Sequence, residues 1–566
     1  MPVTPTYPGV YIEELPSSVH TIVGVPTSVA AFVGYAARGL VDTPVQVNSW
    51  ADYQRAFGGL DPASPMSYAA FLFFMNGGNS AQIVRASATD GSGTATSIAL
   101  SADVILVATS PGTWGNAGLQ VVVDRKNLST PTLFNLTITD SSSGAVESYT
   151  ALSLGAVPPG TPGTPMNTAL ASSALMNLDP ASGILTNPPT TPAEIAAATP
   201  AVGTYTVGAF TPPPTAAATS AGGTTSAGGT ASAGTPATTG TSATTGATPP
   251  PAPPPGGVAG KDINTGSLAI PGDQATRTGI YALVEADIFN MLCLPTAWNQ
   301  TYSSDTLSQA ATFCAQQRAM LIVDPPTEWS QTPPPLSFET VTGAMAVTGP
   351  DVANAATYYP NLLVADPVTG MTVQQGPCGA VAGVWASTDD ARGVWKAPAG
   401  TAAAIAAISG LAVHVDDGES GVLNPIAVNC LRTLPLIGPV TWGARTAAGA
   451  DELASQWKYI PVRRTALYIE ESVRRGTQWA VFEPNDEPLW SSIRLNIGAF
   501  MNSLFKQGAF QGSTPSDAYL VQCDASNNPQ SSIDQGILNI LVGFQPLMPA
   551  EFVIIQIQQL VGQLQG

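Results

Sequence analysis

Histidine is almost missing from this 566-residue sequence, which has two, His20 and His414. Nucleophilic catalysis by a serine needs a base that moves a proton, usually histidine. His414 sits in L-A-V-H-V-D-D-G with no Gly-rich serine motif downstream, and both histidines read as structural. Cysteine is scarce too. Cys293, Cys314, Cys378, Cys430 and Cys523 are odd in number, far apart and without C-x-x-C or Cys/His spacing, which excludes a disulfide framework and a zinc site. They read as small buried hydrophobes of a reducing compartment. Positive charge is short, with 19 Lys and Arg against 38 Asp and Glu for a formal net charge of −19. Phosphate backbones are bound by clustered cations, so nucleic acid is excluded as a partner. No G-x-x-x-x-G-K-[ST] loop is present. Asp416, Asp417 and Glu419 lack the full spacing of a calcium loop and read as a solvated turn. The longest weakly apolar stretch, Thr401 to Val415, is Ala-rich and reads as a packed helix and following strand, not a membrane span. The first basic residue is Arg38 and no apolar core precedes a cleavage-like site, so no signal peptide is expected. The sequence therefore predicts no enzyme, no cofactor, no metal and no direct membrane insertion.

What is present is a short extended segment at each end. In Y-P-G-V-Y-I-E-E-L, Val10 and Ile12 project to one side while Tyr11 and Glu13 project to the other. In P-A-E-F-V-I-I-Q-I-Q-Q-L, which includes Phe552, the residues Val553, Ile555 and Ile557 line one face and Ile554 lies on the opposite one. Each end reads as a strand with no hairpin partner in sequence, which must find its ladder in its own chain or on another molecule.

The opening, continued by S-S-V-H-T-I-V-G-V-P-T-S-V-A-A-F-V-G-Y-A, resembles the amino-terminal signature of contractile tail sheath proteins of phages and phage-tail-like injection systems. The resemblance continues in order through R-G-V-W-K-A-P-A-G, L-N-P-I-A-V-N-C-L-R, W-G-A-R-T, W-K-Y-I-P-V-R-R-T-A-L-Y-I-E-E-S, W-A-V-F-E-P-N-D and G-A-F-Q-G. It implies a structural subunit that polymerises as stacked rings around an inner tube and contracts from a metastable extended state. The implied partners are other copies of itself, the inner tube protein, baseplate and tail terminator proteins and, in assemblies that have one, a second sheath paralogue. It also implies assembly in the bacterial cytoplasm, an α/β domain of subtilisin-like topology, and a carboxy-terminal α+β assembly domain with exchanged terminal strands. The rival reading, a secreted surface or adhesion protein, would account for the low charge but calls for an export signal.

Texture divides the chain into seven stretches: an arm over 1–22, an α/β start over 23–90, a β-rich insertion over 91–210, a low-complexity loop over 211–260, resumed α/β over 261–385, a carboxy-terminal core over 386–548 and an arm over 549–566. The 211–260 tract is almost wholly Thr, Ala, Gly, Ser and Pro without charge, a composition that cannot offset its ordering entropy, so a loop without packed order is expected. Strands are expected at Ala81–Ala86, Asn361–Asp366, Gln478–Glu483, Ala518–Cys523, Ile537–Phe544 and Glu551–Ile557. Helices are expected at Asp305–Met320, Ala397–Ser409 and Thr465–Arg475, with another starting near Pro488 that carries Ile493, Ile497, Phe500, Met501 and Leu504 on one face. From Arg392 to Lys506 there are eleven basic and ten acidic residues, so this segment is near neutral while the remainder carries about −20. An acidic arm bearing Glu13 and Glu14 could dock on a neighbour beside Arg463, Arg464, Arg474 or Arg475. Solvated surface charge is the bland alternative.

Overall fold

The computed structural model describes residues 20–89, 93–130, 132–155, 163–182, 192–213, 268–296, 300–326 and 347–556, with 91, 185, 189, 258, 259, 261 and 329 between them. Val10, Tyr11, Ile12, Glu13, Glu14, Ile557 and most of the 211–260 tract lie outside the described residues. The chain forms two compact units, one of residues 37–39 and 91–264 and the other of the remainder.

The larger unit is built on an eight-stranded sheet of β1 (Val29–Gly34), β2 (Val45–Val47), β3 (Ser80–Arg85), β4 (Met291–Cys293), β5 (Met320–Val323), β6 (Ala355–Tyr359), β7 (Val428–Leu434) and β8 (Gly438–Thr441), in the order β2-β3-β1-β4-β5-β6-β7-β8. Strands β3 to β7 in that order run parallel, and β2 and β8 close the two edges antiparallel. Both faces are covered, so the central strands are apolar throughout and do not alternate with polar residues. Phe32, Ile83, Cys293 and Ile322 point into one core, with Phe73 of helix α2 (Pro65–Met75) and Trp385 of helix α4 (Cys378–Arg392). Ala31, Val84, Leu292 and Leu321 point into the other, with Leu307 and Cys314 of helix α3 (Ser304–Gln317). Helix α1 (Trp50–Phe57) is capped by Ser49 and stopped by Gly58 in the left-handed region. Helix α4 packs so closely on α2 that a Cβ on Gly379 would lie 2.1 Å from the Ala69 carbonyl oxygen.

Helix α4 has no apolar stripe because it is buried nearly all round, and for that reason the sequence reading passed over it. The opposite error occurs just downstream. Ala397–Ser409 is not a helix; it runs irregularly along the free edge of β8, where Ile405 N–H donates to Pro439 O (2.8 Å) and Thr441 N–H donates to Ala403 O (3.0 Å). The Asn76 side chain holds Ala406 from both sides, accepting from its N–H at 2.7 Å and donating to its carbonyl at 3.2 Å. These tertiary partners replace the helical bonds that alanine would favour. The packed helix expected within Thr401–Val415 is corrected by the same contacts, and the strand there is Gly410–Leu411.

The carboxy-terminal part holds helix α5 (Ile460–Gly476), helix α6 (Glu487–Lys506) and an antiparallel pair, β9 (Tyr519–Gln522) with β10 (Leu541–Phe544). Ile493, Ile497, Phe500, Met501 and Leu504 of α6 are buried against Phe510, Ala518 and Cys523. Gln478–Glu483 is not a strand, since Gln478–Ala480 makes a 3-10 turn in which Ala480 N–H donates to Thr477 O at 3.0 Å. The turn leaves Phe482 fully exposed at φ 71°. Asp416, Asp417 and Glu419, read as a solvated turn, instead start the short helix Asp417–Leu423, on which Asp416 and Glu419 form a capping box. All five cysteines are buried and unbridged.

The smaller unit carries a six-stranded sheet in the order 209–211, 203–206, 119–124, 134–140, 145–153 and 164–165, and a three-stranded sheet of 176–178, 105–108 and 97–99. Strand Phe134–Asp140 alternates buried and half-buried residues, placing Phe134, Leu136 and Ile138 in a core with Val121 and Tyr205. Buried Asp140 accepts from Arg38 at 2.8 Å and from the hydroxyls of Ser142 and Ser143.

Candidate functional site: the roots of the two arms

The last described residues, 551–556, pair with no strand among the described residues. Phe552, Val553, Ile554 and Ile555 are 72%, 79%, 84% and 79% exposed, so four consecutive apolar side chains face solvent on both sides of the chain. No strand forms at 551–556, whose backbone joins no ladder among the described residues.

The residue just before them is held firmly. Arg445 is buried, and its Nε and Nη2 donate to the two carboxylate oxygens of Glu551 at 2.7 Å each. Such a fork-on-fork pair fixes orientation as well as distance. Arg445 Nη1 donates to Asn424 O (2.8 Å) and to Asp451 Oδ1 (3.0 Å), while Glu551 also accepts from Asn424 Nδ2 (2.9 Å) and Tyr459 OH (3.2 Å). Burial pushes the Glu551 carboxyl up, but the guanidinium, the amide and the hydroxyl outweigh it and hold the group below the usual carboxylate range.

The position of Arg445 is set by β7. Asn429 accepts from Arg445 N–H at 2.7 Å and donates to Arg445 O at 2.8 Å, clamping its backbone from both sides. The approach requires Gly443, where a Cβ would lie 2.8 Å from the Asn429 Cα. W-G-A-R-T and L-N-P-I-A-V-N-C-L-R thus meet at one point, a juxtaposition that sequence order does not announce.

The amino-terminal root lies along α5. His20 stacks on Trp479 with ring centroids 4.1 Å apart, Val25 N–H donates to Ser472 Oγ at 3.2 Å, and Ile22 is buried. A Cβ on Gly476 would fall 2.7 Å from the Ile22 Cγ1, so the helix end is shaped to the arm's base.

The four arginines read as contacts for a neighbouring arm have partners within the chain. Arg464 is buried and grips Asp389 at 2.6 and 2.9 Å across to α4, donates to Thr27 O at 3.0 Å, and lies over the Trp385 ring. Arg463 donates to Asn354 Oδ1 at 3.0 and 3.2 Å and stacks on Trp457. Arg474 and Arg475 both bond Glu471, and Arg475 also reaches Asp287 at 3.0 Å. Burial raises the Glu471 carboxyl, but these two arginines overcome it and depress the group to about 2.

Residues 452–559, which run from the start of this region into the exposed arm, match the sequence profile of the phage tail sheath C-terminal domain. The tail sheath protein of Vibrio phage KVP40 is 28% identical over 176 residues, covering 31% of this chain and 25% of the relative. That of Burkholderia phage BcepMu is 27% identical over 197 residues, covering 34% of this chain and 39% of the relative. These alignments thus span a quarter to two fifths of the curated sheath proteins. The contracted-state sheath complex of an extracellular contractile injection system, PVC, shares the fold, with a TM-score of 0.53 and 21% identity over 99% of both chains. The matched stretch holds α5, α6, the β9–β10 pair and Glu551.

Proposed function

We propose that this chain is a structural subunit of a contractile sheath, which polymerises as a helical stack of rings around an inner tube and contracts from a metastable extended state to drive the tube through a target envelope. The observation that carries the reading is an exposed apolar arm, Phe552–Ile555, pinned at its root through Glu551 to buried Arg445. A strand of this kind adds to a sheet edge on another copy, where backbone bonds give the link and alternate side chains give the register. The β9–β10 pair offers such an edge, with Leu520 and Leu541 about half exposed. Burying the four arm side chains would contribute on the order of 6–12 kcal/mol before ordering costs. That is enough to keep copies linked while weaker contacts are exchanged during contraction. Val10, Tyr11, Ile12 and Glu13 would add to a neighbour in the same way, and Ile557 would extend the carboxy-terminal strand. The α/β body, with its subtilisin-like topology, serves as a scaffold and not as a hydrolase. The partners are further copies, the tube protein, the baseplate and the terminator, within a phage tail or tail-like particle assembled in the cytoplasm.

Electron microscopy of the purified protein, alone and co-expressed with its tube protein, tests the reading. Hollow, helically striated cylinders are the expected result; stable monomers in both preparations would overturn it.

A further inference from the structure

Helices α5 and α6 make a hairpin with two unlike ends. The chain turns between them over 477–486, where Phe482 is fully exposed in the left-handed region at φ 71° and Val481 beside it is largely exposed. That backbone region is strained for a bulky aromatic residue. Nothing among the described residues covers the ring, so the strain and the exposed apolar area are uncompensated within the chain. The turn is nonetheless held in place: the Asn485 side chain accepts from Trp490 Nε1 at 2.8 Å and donates to Ile537 O at 3.1 Å. Glu483, next to the ring, is exposed, and the cations on either side of it in sequence, Arg475 and Arg494, are held by Glu471 and Glu487.

At the other end of the hairpin lies a cleft of about 980 Å³, whose lining takes in Tyr459, just before α5, and Gln507, just after α6. Its walls also present the cations Arg392 and Lys396 and the part-exposed apolar side chains of Trp442 and Met548. The acids of the cleft are taken, Glu551 and Asp451 by Arg445 and Asp417 by Arg432, whereas Arg392 and Lys396 form no ion pair among the described residues. Turn and cleft match in chemistry: an aromatic ring beside a carboxylate, and apolar walls beside cations. They cannot meet in one chain. At 1.5 Å per residue the 17-residue α5 and the 20-residue α6 set them about 25–30 Å apart, whereas the chain from Phe482 to the start of α6 at Glu487 reaches at most about 18 Å. We propose that Phe482 and Glu483 of one copy insert into the cleft of a second copy, the ring against Trp442 and Met548 and the carboxylate between Arg392 and Lys396. A contact between unlike surfaces is head-to-tail, and its repetition builds an open helix and not a closed dimer. An aromatic side chain that buries about 150–250 Å² in a pocket is a fit anchor for such a contact. The assignment rests on the sheath reading and deepens it, since it adds to the arms a rigid contact made by the folded bodies themselves.

Substitution in the full chain, co-expressed with its tube protein, tests it. Phe482→Gly removes the ring and suits the left-handed backbone, so the melting temperature should hold or rise while the assembled fraction, read by sedimentation and microscopy, falls roughly tenfold or more. Glu483→Arg should lower assembly about threefold, Arg392→Glu with Lys396→Glu should do the same, and the three changes together should restore it. If the double reversal does not fold, Arg392→Gln with Lys396→Gln replaces it, with a smaller loss of assembly expected. An added Cys pair, Phe482→Cys with Met548→Cys, should give a covalent ladder of chains on a non-reducing gel, since the native cysteines are buried. Normal assembly of Phe482→Gly, a melting temperature lowered by that change, a triple variant that fails to recover, or a disulfide closed within single chains would each overturn the proposal. So would a photocrosslinker at position 482 that captures the tube protein in place of a second copy. Absence of cylinders from the wild-type protein would sink the sheath reading and this proposal with it. Normal cylinders from Phe482→Gly would sink this proposal alone.

Discussion

The eight-stranded body and the carboxy-terminal arm are both rich in aliphatic side chains, yet they treat them in opposite ways. Phe32, Val33, Leu292 and Leu321 are wholly buried, with helices on both faces of the sheet, whereas Phe552 to Ile555 are exposed on both sides of a segment that joins no ladder among the described residues. The body satisfies itself within one chain; the arm does not. A contiguous apolar segment left in water marks an interaction site, and fixing its first residue with a buried ion pair sets where the segment departs. What differs is therefore the supply of partners within the chain and not the hydrophobicity of the residues.

The largest effect is expected in the body. Arg464→Ala leaves Asp389 charged and buried between α4 and α5, and should cost about 3–5 kcal/mol in a denaturant titration. An unchanged midpoint would mean that the pair contributes nothing to the body. In the arm the pattern should invert. Ile555→Asp is expected to abolish assembly while shifting monomer stability by less than ~0.5 kcal/mol, because Ile555 is 79% exposed in the single chain. Normal polymerisation of that variant would remove the strand-addition role of this segment.

At the boundary between the two, Glu551→Gln keeps the shape and loses the charge. It should cost about 1–3 kcal/mol, raise amide exchange around Arg445 and Glu551, and slow assembly without preventing it. The smallest effect concerns acid. Glu471 is depressed to about 2 from an ordinary 4.5, so its contribution is present above about 4.5 and is lost as the pH falls toward 2. Glu471→Gln should flatten that part of the stability profile in acid while leaving the profile near neutrality parallel to the wild type.

Much of the fold was legible because local rules and tertiary demands coincide in it. The strand at Ala81–Ala86, the helix at Asp305–Met320 and the apolar face of α6 each follow from short-range pattern. Legibility failed where they diverge. Helix α4 is buried so fully that it shows no stripe, and the alanines of Ala397–Ser409 exchange helical bonds for Asn76 and the edge of β8. The candidate site was legible only in part. The arm's alternation led to the expectation of a strand that does not form at 551–556, and the four arginines read as docking groups have partners inside the chain. Arg445 and Glu551, 106 residues apart, gave no local signal at all.

By itself the sequence determined composition and the character of some pieces: two histidines, few cations, and an end segment with strand alternation and no hairpin partner in sequence. These depend on composition and on neighbours two to four positions away. Only the tertiary structure decided which charges are spent inside the chain. Pairing of charges depends on distance in space, and β7, α5 and the arm root meet only once the sheet has folded.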